Sequence, residues 1–155
     1  MSSFNTYTDA LDMAFLRDLC IREGMIRHFY RGECLVRHGE RLRYWGYIES
    51  GYFKYSVYDK EVNERITGFA MSGTMVGDYL SLTRQTPVST NIVAAQDSEV
   101  YLCSVSVLQN LLDEVPMLRT SLADALFHQA YLQYLEMLMS VCVFSYNFAP
   151  YSEAV

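Results

Sequence analysis

Between Met25 and Cys103 the chain runs as short apolar and aromatic stretches, each cut off by a glycine or an acid. The stretches are IRHFY, ECLVRH, RYWGYIES, YFKYSVYD, ERITGFAM, TNIVAAQ and EVYLCS. The breaks include RGE at 31–33, HGE at 38–40, ESG at 49–51 and SG at 72–73. This punctuation leaves little room for the longer run of 3.6-residue periodicity that marks a helix. Strands recurring every 8–12 residues or so predict a β-sandwich or a barrel-like roll. Since no helices alternate with them, a doubly wound parallel sheet is excluded.

The flanks have a different texture. TDALDMAFLRDLCIR at 8–22 places Leu11, Ala14, Phe15, Cys20 and Ile21 at roughly helical spacing, with Thr8 or Asp9 as cap and Gly24 as stop. After the roll, SVSVLQNLLDEVP reads as a short helix capped by Ser104 or Ser106, and Pro116 starts the next element. Residues 116–146 then form one long helical candidate that is apolar on two faces. Leu118, Leu122, Ala125, Leu132, Met139 and Val143 mark one face; Phe127, Tyr131, Tyr134, Leu138 and Val141 mark the other. A helix apolar on two faces has to bury both. A roll covers only one of them, which favours a homodimer through this helix, with Leu122, Leu132 and Met139 in the interface. The alternative is a single helix crossing its own core. The expected organisation is one domain: a helical segment over 1–24, the roll over 25–103, a short helix over 104–115 and the long helix over 116–146.

Composition narrows the function. With 155 residues, 51% hydrophobic and 19% charged, the chain can bury a sizeable core. Net charge is −6, the 12 Lys and Arg are scattered, and none follows Arg119. Phosphate backbones demand a dense cationic face, so no nucleic acid is expected to bind through this chain alone. Cys20, Cys34, Cys103 and Cys142 lack metal-site spacing and read as reduced, mostly buried thiols of a cytoplasmic protein. His28, His38 and His128 form no His-x-His pair, and no nucleophile elbow occurs, so neither a cupin metal site nor another enzyme is indicated. The opening MSSFNTYTDALDM lacks a basic n-region and an apolar h-region, so no signal peptide is expected, and the apolar run at 137–148 is too short to span a membrane.

FYRGECLVRHGERLRYWGYIESGYFKYSVYD, followed by GFAMSGTMVGDYLSL, resembles the cyclic-nucleotide-binding domain of Crp/Fnr transcription regulators, over roughly residues 8–146. The resemblance implies an antiparallel double-stranded β-helix, or jelly roll, turned at Gly32, Gly39 and Gly51 and closed by a long dimerisation helix. It also implies a phosphate cassette: Gly-Glu, a short helix, then Arg-Ser or Arg-Thr. Amides at a helix start hold the phosphate, Glu takes the ribose hydroxyl and Arg neutralises the charge. Here Gly77 matches the glycine, Asp78 stands at the Glu position, and Tyr79 and Leu80 open the helix. Ser89 falls where the arginine belongs, and Thr90 on the Ser/Thr position. Arg84 is either a substitute cation or a solvated surface charge.

From the long helix, Gln129, Gln133 and Tyr134 are expected near the ligand. The cofactor is thus an unidentified small-molecule effector, with cyclic AMP weak or absent. A ligand-free dimerisation or interaction module is the competing expectation. Regulators of this kind continue into a winged helix-turn-helix. No such element fits between Pro150 and Val155, so the chain is read as a sensor fragment or as a protein without the DNA-reading half.

Overall fold

The computed structural model describes residues 14–120 and, past them, positions 122–124, 127, 131, 134–135 and 138–139. Helix α1 (Phe15–Glu23) leads into eight strands: β1 (Met25–Phe29), β2 (Cys34–Val36), β3 (Tyr44–Ser50), β4 (Tyr52–Tyr58), β5 (Glu64–Met71), β6 (Met75–Val76), β7 (Asn91–Ala94) and β8 (Ser98–Ser104). Helix α2 (Tyr79–Arg84) separates β6 from β7, and helix α3 (Val105–Glu114) follows β8. The strands form two four-stranded sheets, in the orders β1-β8-β3-β6 and β2-β7-β4-β5. Every pairing is antiparallel. First strand pairs with eighth, second with seventh, third with sixth and fourth with fifth, as in one long hairpin rolled over itself. The β-roll expected from the turn spacing is what forms.

Gly51 makes the hop from one sheet to the other. It alone separates β3 from β4, at a φ of 85°, and a Cβ there would collide with the Ser98 hydroxyl and the Asp97 carbonyl. Only glycine meets both demands. The core lies between the sheets, where Phe29, Ile48, Phe53, Ile92 and Val100 are fully buried. The Phe29 and Phe53 rings meet edge to face, 5.2 Å apart at 79°, adding roughly 0.5–1.5 kcal/mol to their burial.

Helix α1 stops at Gly24, as its sequence predicts, and its start lies outside the described residues. Leu16, Leu19 and Cys20 are buried, and the thiol of Cys20 meets that of Cys103 on β8. That hydrogen bond and burial hold the Cys20 thiol protonated, far above its ordinary range. Cys34 is half-buried and Cys142 is outside the described residues. Helix α3 buries Val105, Leu108 and Leu112, spaced to share a face, and Ser104 caps it.

Residues 116–120 and 122–124 are helical, so helix resumes at Pro116 as expected. The helix as one unit over 116–146 is outside what is described. Its first inward side chains, Leu118 and Leu122, join the core of their own roll at 6% and 4% exposure. Leu122, one of the expected interface residues, is thus covered within its own chain. Leu132 is outside the described residues, whereas Met139 is 67% exposed.

Candidate ligand site

The stretch MVGDYLSL makes the corner from β6 into α2. Gly77 passes close to β3, where a Cβ would stand 3.2 Å from Cβ of Trp45. Asp78 is extended and caps α2, its Oδ1 accepting from the amides of Leu80 at 3.0 Å and Ser81 at 3.2 Å. The sequence places this carboxylate where a ribose hydroxyl would be bound; in the structure it serves its own helix. Two amides of this turn are thereby claimed.

A third is claimed by a residue that the sequence reading missed. Tyr55, on β4, donates its hydroxyl to the Gly77 carbonyl at 3.0 Å, and the Gly77 N–H donates back to the same hydroxyl at 3.3 Å. Burial pushes the Tyr55 phenol up to about 12, with the hydrogen bond from the Gly77 N–H pulling the other way and the Asp78 carboxylate adding to the rise. Tyr55 and Gly77 are 22 residues apart, so only the fold brings them together. Its half-buried place in a strand of alternating aromatics gave no signal beyond packing.

The remaining expected residues differ in exposure. Leu80 is 53% exposed, Ser89 is exposed and Thr90 is half-buried, the last two at the bend before β7. Arg84 ends α2 with an exposed side chain. Tyr134 is half exposed, Gln129 and Gln133 are outside the described residues, and so is the side chain of Tyr79. Beside these residues the structure has a cleft of about 380 Å³. It opens between the 41–44 stretch, the far end of α2 and the start of α3, with Ser81 shared between cleft and cassette helix. Among the described residues, no group of three His, Cys, Asp or Glu side chains could hold a metal ion, and no helix is long and apolar enough to cross a membrane.

The whole is an antiparallel β-roll with a glycine-acid corner and a short helix between its sixth and seventh strands. The model of the cyclic nucleotide-binding domain matches residues 26–115, more than half the chain, and the chain belongs to that family. No curated protein matches it in sequence. Solved structures do match in fold. The catabolite activator protein of Thermus thermophilus is 22% identical with a TM-score of 0.61, over 79% of this chain and 58% of that one. The c-di-GMP responsive global regulator of Xanthomonas campestris is 16% identical with a TM-score of 0.62, over 76% and 59%. The regulatory subunit of a cAMP-independent protein kinase A from Trypanosoma brucei is 19% identical with a TM-score of 0.54, over 73% and 40%. That last structure is a mutant with three substitutions, one of them threonine to arginine, bound to cAMP. The neighbours include regulators of the Crp/Fnr type. The chain spans less than two thirds of the length of each, and at these identities the likeness establishes the fold alone.

Proposed function

We propose that this chain is the small-molecule-sensing part of a Crp/Fnr-like transcriptional regulator, working as a non-catalytic homodimer, whose cassette does not take the phosphate of cyclic AMP. The observation that carries this reading is that the cassette is internally closed. The amides of Leu80 and Ser81 donate to Asp78, and that of Gly77 donates to Tyr55. An arriving phosphate would have to displace a carboxylate already seated at the helix start, with Ser89 in place of the neutralising arginine. The Trypanosoma neighbour, cAMP-independent by name yet cAMP-bound when altered to include an arginine, supports the weight placed on that cation. The Xanthomonas neighbour, responsive to c-di-GMP by name, supports an effector other than cyclic AMP on this fold. DNA would be reached only through a further domain.

The same closure favours a second reading, a β-roll that binds no effector and serves dimerisation or protein interaction. Calorimetry separates the cyclic-nucleotide question from both. Cyclic AMP is expected to bind the unmodified protein weakly or not at all, and Ser89→Arg is expected to raise its affinity. Submicromolar binding of cyclic AMP to the unmodified protein would overturn the proposal. A thermal-shift screen with unrelated metabolites then divides sensor from ligand-free module, because a specific ligand stabilises the folded state by mass action.

A further inference from the structure

The cleft beside α2 carries its own chemistry. Arg41 and Arg43 both line it, are exposed, and have no ion-pair partner among the described residues. Among the described residues no Asp or Glu lines it, although the chain as a whole carries a net charge of −6. Two unpaired guanidinium groups at one cleft, in an acidic protein, create a local field that draws anions.

Two further observations point the same way. The ten-residue helix α3 opens at this cleft, and Ser104, Val105 and Ser106 of its first turn line it. The Ser104 and Ser106 hydroxyls are 2.7 Å apart; the Ser106 and Val105 amides already donate, to Ser104 Oγ and the Arg43 carbonyl, so this helix start contributes its dipole and its two hydroxyls rather than those two amides. Independently, Ser81 lines the same cleft at 3% exposure, and its Oγ is a buried side-chain polar atom with no hydrogen-bond partner among the described residues. Buried polar groups are rarely left unpaired. An unpaired hydroxyl on a residue that lines a cationic cleft is free to donate to an anion there.

The walls are tied to one another. The Val105 N–H donates to the Arg43 carbonyl at 3.0 Å, and Gln109 Nε2 donates to the Leu82 carbonyl at 2.9 Å. The charges and hydroxyls therefore sit on a fixed frame, and less ordering is needed on binding. Leu42 and Tyr44 add an apolar side for a carbon skeleton. A volume of about 380 Å³ suits a small metabolite.

We propose that this cleft is a second effector site, distinct from the cassette, which binds a small organic phosphate monoester through Arg41, Arg43, the start of α3 and the Ser81 hydroxyl. Paired arginines, hydroxyl donors and a helix start match a compact dianion better than a neutral ligand. This site does not depend on how the cassette is read.

The test is amide NMR of the full chain, titrated with glycerol 3-phosphate and, separately, inorganic phosphate, at constant ionic strength. Saturable shifts are expected at Ser104 to Val107, stronger with the ester than with inorganic phosphate. Replacing both arginines by glutamine (Arg41→Gln with Arg43→Gln) should weaken binding by roughly 10–100-fold, and both positions are exposed, so the fold should persist. Ser81→Ala should weaken it less. Absence of saturable shifts up to tens of millimolar ester, or equal binding by the double variant, would overturn the proposal. A parallel titration with cyclic AMP reads Tyr55, Gly77 and Asp78, so failure of the cassette reading appears at different amides.

Discussion

Tyr55 and Asp78 do for the cassette what a ligand would do in an open one, since both satisfy backbone groups that a helix start and a tight corner leave free. Their contributions can be separated by pH. Tyr55 titrates near pH 10 when unfolded and near 12 in the fold, so its neutral form is the one the structure favours. A raised folded pKa contributes stability that is complete below about pH 10 and fades as pH climbs through 12. Tyr55→Phe removes the hydroxyl and leaves the Gly77 N–H and carbonyl unmatched, at a cost of roughly 1–3 kcal/mol at neutral pH. The stability gap between wild type and variant should then narrow between pH 10 and 12. Urea unfolding of both proteins across that range is the measurement, and a gap that stays constant would detach Tyr55 from the corner.

At the level of elements, the strands were legible because each apolar run ends at a residue that cannot continue it. ERITGFAM coincides with β5, and YFKYSVYD loses only its final Asp59 to the turn. β6 was not legible, since two residues carry no period. The cassette corner was legible as glycine and acid, while its partner Tyr55 and the cationic cleft were not. Tertiary packing assembles those from residues far apart in the chain, and no local pattern announces them. One turn departs from what its sequence favours. Between β4 and β5, Asp59 Oδ1 accepts from the amides of Glu61 and Asn63, both at 2.9 Å, and forces Val62 to a φ of 64°. That conformation is unfavourable for a β-branched residue, and Val62 is 76% exposed, so little packing offsets it. Val62→Asn is expected to stabilise the protein by about 1 kcal/mol, read as a rise in the urea midpoint. A lower midpoint would mean that the valine side chain holds the hairpin in some other way.

For the molecule as a whole, the outstanding imbalance is the apolar surface that the roll leaves uncovered. Leu118 and Leu122 turn inward, whereas Phe127, Tyr131, Tyr134 and Leu138, helical and four, three and four residues apart, are all exposed. That spacing is the alternation of a two-helix seam, and Phe127 at 76% exposure is a large ring to leave in water. A second copy laying the same stripe against it would cover both at once, by an isologous contact. Leu138→Glu puts a charge on each side of such a seam and should dissociate the dimer. Light scattering should then report the monomer mass, and the melting temperature should lose its dependence on protein concentration. Leu122→Ala supplies the contrast, because it empties a core position and should cost about 2–5 kcal/mol of fold stability while leaving assembly intact. If the unmodified protein scatters as a monomer at micromolar concentration, or if Leu122→Ala dissociates it and Leu138→Glu does not, the two faces of this helix have been assigned the wrong way round.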